Sequence, residues 1–189
     1  MPNHQTHDTI GFITAPIAAG GATVVATHFG HNPLAAAACV CISHLAATHW
    51  LSPDLDIDSA IDDRWGPLRW LWTPYRVVVS HRSWVSHSLV GGLLRLVYIG
   101  IPVLAVILIV QGYIQGFRST QDFLGFFDVF WRAVWNSLVS LADMTGVRYA
   151  LAGVITADLH HIVADGILTE SKATARKLLP RWLYKLIIR

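Results

Sequence analysis

The chain has 189 residues, enough for one domain or one small helical bundle, and it is 53% hydrophobic but only 14% charged. An ordinary soluble domain carries about 25% charged residues. With a mean hydropathy of +0.47, the composition excludes a solvated globule and predicts an integral membrane protein, while a net charge of +2 is too small for a nucleic-acid binder.

In chain order, the N-terminus lacks a basic n-region, and His4, His7 and Asp8 precede the first apolar run, so it does not read as a secretory signal. Four runs then approach the ~20 residues needed to cross a bilayer as a helix. They cover residues 10–27, 33–51, 89–111 and 149–168. The first two are rich in Gly and Ala, which permits close helix packing. Cys39 and Cys41 lie two apart in the second run. They point about 200° from one another on a helix and read as small hydrophobes.

Between the second and third runs lies an aromatic, arginine-containing stretch. Its Trp65, Trp70, Trp72, Tyr75 and Trp84 are ring types that settle at headgroup depth, so residues 60–80 are expected to lie on the membrane surface. Residues 123–141 are apolar but interrupted by Asp128 and Arg132, a favourable acid-then-base pair four apart. They predict an interfacial amphipathic helix, with a fifth span as the alternative. A basic tail at 172–189, with Lys172, Arg176, Lys177, Arg181, Lys185 and Arg189, reads as a further surface helix on anionic lipid. The expected fold is therefore an all-α membrane bundle of about four transmembrane helices plus interfacial helices. The chain forms a single domain over 1–189. With four spans, the N-terminus, the 52–88 loop and the C-terminus share one side. That side holds most of the Arg and Lys, and the positive-inside rule makes it cytoplasmic.

Four short stretches hold most of the residues suited to a metal. They are "THD" (His7, Asp8), "SPDLDIDS" (Asp54, Asp56, Asp58), "HRSWVSHS" (His81, Arg82, His87) and "ADLHHIVAD" (Asp158, His160, His161, Asp165). On the four-span topology all four meet at the same cytoplasmic rim. Asp158, His161 and Asp165 are spaced i, i+3, i+7 and fall on one helical face within about 60°. A central Asp costs roughly 2.5–3.5 kcal/mol to insert into a bilayer. A divalent cation offsets that cost, because carboxylate and neutral imidazole are natural ligands. A buried Asp–His hydrogen-bond cluster or proton relay is the plainer alternative. In "SPDLDIDS", Pro53 ends a helix, and Asp54 and Asp56 are the chosen ligands. Asp58, Asp62 and Asp63 read as surface charges or partners of Arg64 and Arg69. His81 and His87 do not stack on one helical face, so one lies in a loop. Arg82 beside them suits a phosphate or carboxylate, or else a lipid headgroup. Arg95 inside the third run reads as snorkelling or paired with a carboxylate. No glycine-rich phosphate loop, nucleophile elbow or zincin helix is present.

These stretches resemble the DUF2227 family of metal-binding membrane proteins common in cyanobacteria. The matching residues are "THDTI" at 6–10, "SPDLDIDS" at 52–59, "RWGPLRWLWTPYR" at 64–76 and "HRSWVSH" at 81–87, with the His/Asp-bearing last span. More distantly the chain is similar to the YdjM-like (DUF457) membrane-bound metal-dependent hydrolases, from which it departs by five residues between His81 and His87. The resemblance implies a metal site including His7, Asp54, Asp56, His81 and His87, and suggests hydrolysis. Together, residues and resemblance give a site of His7, Asp54, Asp56, His81, His87, Asp158, His161 and Asp165. It would hold one or two ions of Zn, Mn or Fe. Asp56 would serve as proton acceptor and Arg82 would hold a phosphoryl oxygen. The expected setting is an inner, plasma or thylakoid membrane with the site on the cytoplasmic face. The expected substrate is a phosphoester or amphiphile among the membrane lipids. A non-enzymatic metal-binding or ion-moving protein, and a structural metal clip between helix ends, are the rivals.

Overall fold

The computed structural model describes residues 4–116 and 119–178. All regular structure among them is helical. Helix α1 (His4–His28) turns through residues 29–32 into α2 (Pro33–Trp50). The Asn32 side chain accepts the Ala35 N–H at 3.0 Å and Pro33 occupies the first turn, two features that start a helix without strain. Pro53 prevents α2 from continuing and opens a 3-10 turn, Pro53–Asp56. Two short helices follow, α3 (Ala60–Asp63) and α4 (Thr73–Val78), with a 3-10 stretch, Gly66–Trp72, between them. Helix α5 (Gly91–Gln115) stops where Gly116 takes the left-handed conformation. Helix α6 (Thr120–Asp143) starts with a reciprocal Ser119–Asp122 capping box. Helix α7 (Thr145–Leu178) completes the described chain.

Four helical segments are long and apolar enough to cross a membrane: Gln5–His28, Pro33–Asp56, Gly91–Gln115 and Thr145–Ser171. They correspond to the four expected runs. Helix α1 begins at His4 rather than residue 10, so His7 rides on the spanning helix instead of preceding it. The tail expected as a separate surface helix at 172–189 begins as a continuation of α7 through Leu178; its last part, 179–189, lies outside the described residues.

Helices α1, α2 and α7 form the packed core. Ala22, Ala26, Ala36 and Val40 make one cluster, with Tyr149 and Ala152 against it. Gly153 explains how closely α2 and α7 approach: a Cβ there would sit 2.5 Å from the Val40 carbonyl oxygen and 3.0 Å from the His44 nitrogen. Helix α5 is different. Only Gly91, Gly92 and Arg95 at its start are buried. Val97, Ile101, Val106, Ile109 and Tyr113 are exposed, the pattern of a helix solvated by lipid.

The bundle has two distinguishable ends. His31 reaches Tyr149 at 3.1 Å at one end. At the other, His7 of α1, Asp54 after α2 and Asp165 of α7 converge, and Asp158 of α7 binds the Gly92 N–H at the start of α5. Helix α5 therefore leads away from this second end and α7 returns to it. Helix α6 joins the two at the far end. An α6 that crossed the bilayer would deliver α7 upside down, with His161 and Asp165 on the wrong side. The segment expected to be interfacial thus occupies a connection between two far ends, with Phe123, Val129, Trp135 and Leu138 exposed.

Residues 52–88 form a cap over the near end. Leu55, Ile61, Trp72 and Tyr75 are its core, with Trp65 and Tyr98 packed on them. Asp62 is fully buried and pairs with Arg76 and Arg69. Arg69 also binds Asp58 at 2.8 Å and Asp63 at 2.7 Å. Arg64, however, turns to Asp8 of α1 rather than to these acids, and also donates to the His49 carbonyl. It ties the cap to the first span.

Candidate metal centre

Five of the nominated residues meet at the near end. His7 comes from α1, Asp54 from the 3-10 turn, His87 from the loop before α5, and His161 and Asp165 from α7. Local sequence dictates each placement. His161 and Asp165 are one helical turn apart, so both face the same neighbour. Ser52 caps the turn by accepting the Asp54 N–H at 3.4 Å, and Ser59 donates to the Asp54 carbonyl at 2.9 Å. These contacts fix the loop that presents Asp54.

The donor atoms form two overlapping triads that share His161: His7, His161 and Asp165, and Asp54, His87 and His161. His7 Nε2 lies 3.3 Å from Asp165 Oδ1. His161 Nε2 lies 3.6 Å from Asp54 Oδ1 and 3.7 Å from Asp165 Oδ2, and His87 Nε2 lies 3.9 Å from Asp165 Oδ2. Most of these separations are too long for hydrogen bonds. They do suit neighbouring ligands of one cation: two atoms each ~2.1 Å from a tetrahedral ion are about 3.4 Å apart. The nitrogens His161 Nε2 and His87 Nε2 are buried and make no hydrogen bond. Buried polar atoms without partners are rare in native proteins, and a bound cation would satisfy both. The donor set therefore fits a divalent metal, on the structure's own distances and orphaned nitrogens.

The second ring nitrogens of His161 and His87 are already engaged, whereas His7 Nδ1 is buried without a partner. His161 Nδ1 faces Ser52 Oγ at 3.4 Å. His87 Nδ1 faces Ser86 Oγ at 2.9 Å and Asp56 Oδ2 at 3.6 Å. The His7 and His161 rings stack with centroids 4.0 Å apart. Burial holds the His87 imidazole below its usual pKa, partly opposed by the Asp56 charge. That keeps it neutral, the form a metal requires.

The remaining nominated residues lie elsewhere. Asp56, fully buried in its side chain, accepts from His81 Nδ1 at 2.8 Å and from the Arg82 N–H at 3.2 Å. Its oxygens are used in true hydrogen bonds, and it stands behind His87, outside both triads. His81 is consumed by the same pair. Asp158 turns to Arg95 and to the Gly92 N–H. Arg82 is the one non-glycine residue with positive φ among the described residues, at 60°, a conformation that side chains adopt at a cost. The Asp56 carboxylate holds it there. Arg82 lines a cleft of about 370 Å³ with His87, Ile162, Asp165, Thr169 and Glu170, which places a guanidinium next to two of the five converging residues.

Sequence reading missed a second polar cluster. His44, fully buried in α2, lies 3.0 Å from Thr14 of α1 and 3.0 Å from Thr156 of α7. His160 packs its ring 5.1 Å from His44. A histidine between two helix-borne threonines is invisible in sequence, since the three residues come from three spans. The signal for Arg95 was present: a lone cation in an otherwise apolar run.

Fold and site together define a helical protein of membrane-spanning type with a His/Asp centre at one end of its bundle. The chain belongs to the DUF2227 family, described as uncharacterized metal-binding proteins, whose model matches residues 2–175. An uncharacterized protein of Aquifex aeolicus is 34% identical over 125 residues, 66% of this chain and 85% of that protein. No solved structure matches.

Proposed function

We propose that this metal-binding membrane protein is a metal-dependent hydrolase. It would act on a phosphoester or lipid-like substrate at the cytoplasmic membrane face. The carrying observation is the convergence of five His and Asp side chains, three with orphaned buried nitrogens, two of which, His87 and Asp165, line a cleft together with Arg82.

His7, Asp54, His87, His161 and Asp165 would hold one ion, or two sharing His161; an oxygen-and-imidazole set without cysteine suits Zn, Mn or Fe. When bound, such an ion lowers the pKa of water toward neutrality and polarises a phosphoryl oxygen. The chain's own residues supply the rest. Arg82 presents a guanidinium to an anionic group entering the cleft. Asp56 orients His87 and pins Arg82. A carboxylate of the centre not committed to the ion would take up a proton. Apolar Ile162 on the cleft wall, and exposed Trp70, Val77, Val78 and Trp84 around the cap, favour an amphiphile at headgroup depth.

Ion transport is supported less well. Below the centre, polar residues reach Thr14, His44 and Thr156. Beyond them the core is Ala22, Ala26, Ala36 and Val40, which offers a crossing ion no ligands. The test is purified protein loaded with Zn or Mn and assayed on a broad phosphoester panel, beside Asp165→Asn. Hydrolysis by the native protein and at least about 100-fold less by the variant is the expected result. Equal inertness of both, with metal uptake in proteoliposomes, would overturn the hydrolase reading.

A further inference from the structure

We propose that the buried guanidinium of Arg95, rather than the metal, holds the ligand-bearing segments in register, so that the centre is preformed and its ion exchangeable. This rests on the reading of the His/Asp cluster as a metal centre. Arg95 has no exposed surface and stands within an apolar helix. Its Nε donates to the Leu51 carbonyl at 2.7 Å and one terminal nitrogen to the Ser86 carbonyl at 2.8 Å. The other terminal nitrogen binds the Asp158 carboxylate, whose second oxygen accepts the Gly92 N–H.

The three partners are the anchor points of the ligands. Leu51 ends α2 just before the turn that carries Asp54. Ser86 immediately precedes His87. Asp158 lies one helical turn before His161. One cation thus touches every segment of the triad Asp54, His87 and His161. It grips two of them by the main chain, where a small shift moves the whole ligand. The contact is also tightly built. A Cβ on Gly91 would fall 2.7 Å from the Ser86 carbonyl oxygen, and one on Gly92 would fall 2.9 Å from Asp158 Oδ2. Without the guanidinium, two carbonyls and a carboxylate would converge on one point and repel. A planar fork with five N–H donors suits this task; an ammonium does not.

A metal that served as a structural clip would be the bond joining these segments, and its removal would unfold the protein. Here the join exists behind the ligands. The experiment uses full-length protein in detergent, stripped with a chelator, with Co(II) alone as probe. Helicity and melting are followed by circular dichroism, and coordination by the visible Co(II) spectrum. Stripped native protein should keep its helicity and a cooperative melt. Arg95→Lys preserves a charge opposite Asp158 but cannot bond all three partners. It should fold and bind Co(II) about 10–100-fold more weakly, with an altered spectrum. The double variant Arg95→Met, Asp158→Leu removes both charges for apolar shapes, an exchange that folds readily, and should weaken Co(II) at least as much. Stripped native protein that is unfolded would overturn the proposal, as would folded variants with native Co(II) affinity and spectrum. The arm on native protein decides even if both variants fail to fold. Native protein that binds neither Co(II) nor Zn(II) would instead remove the metal-centre reading, and this proposal with it.

Discussion

His87 illustrates how little separates a member of the His/Asp cluster from a supporting residue. Its Nδ1 faces Ser86 and Asp56, and its Nε2 is left bare toward Asp165. His81, of the same type and in the same loop, spends Nδ1 on Asp56 and stays outside the cluster. The sequence nominated both, because spacing reports which residues share a segment and not which nitrogen each turns inward. The same limit explains Asp158: its helical face was readable, but whether that face met a cation or a guanidinium depended on Arg95, 63 residues away. Three predictions belong at this scale. His161→Ala removes a member of both triads and should abolish stoichiometric metal binding, measured by elemental analysis; retained metal would disprove the shared-ligand geometry. Asp56→Asn should leave the ion bound but about 10–100-fold more weakly, the usual effect of losing a partner behind a ligand; complete loss would mean that Asp56 is itself a ligand. Metal binding should also depend on pH with a definite sign. A ligand imidazole must shed its proton, and a lowered pKa keeps it neutral to lower pH. The ordinary value is about 6.5, so acidification through that value should leave His87 competent, with its contribution lost further below. In chelator-stripped protein, the NMR signals of the His87 imidazole across this range read its own titration; a midpoint above about pH 6.5 would contradict the lowered His87 pKa.

Among elements, the four long helices were legible because each apolar run is near a bilayer's thickness. Their ends were less so. Helix α1 extends past its apolar segment to His4, since hydropathy falls at the headgroups while backbone hydrogen bonding continues. The role of 123–141 could not be decided from composition, which allowed an interfacial helix or a fifth span. The contacts of α5 and α7 with one end of the bundle place the start and the end of the connection at the far end. The α2–α7 contact depends on Gly153. Gly153→Ala would drive a methyl group toward the Val40 carbonyl and should destabilise by ~1–3 kcal/mol, the usual penalty for overpacking. It would appear as a lower melting temperature in detergent. An unchanged melt would mean that the two helices separate freely.

For the whole molecule, the prediction concerns sidedness. In a background free of Cys39 and Cys41, Trp70→Cys in the cap and Trp135→Cys in α6 should react with an impermeant thiol reagent from opposite faces of the membrane. Labelling from one face would invert the path of α5 or α7. The large-scale layout was readable because Arg and Lys counts, apolar runs and His/Asp stretches all agreed on one end. The balance of forces within that end was only partly readable: pairing of Arg95 with a carboxylate was one of two readings and is what the structure shows, but its main-chain partners, the His44 cluster and the Arg64–Asp8 tie each join residues from separate segments.

His161 sits in α7 and belongs to both triads, while His7, Asp54 and His87 come from segments that precede α7 in the chain. A nascent chain that has inserted α1, α2 and α5 has three of the five donors and neither full triad. Both triads are therefore complete only once α7 has docked. If these residues hold the ion, a chain without a docked α7 would have no complete site, and loading would report that α7 is in place.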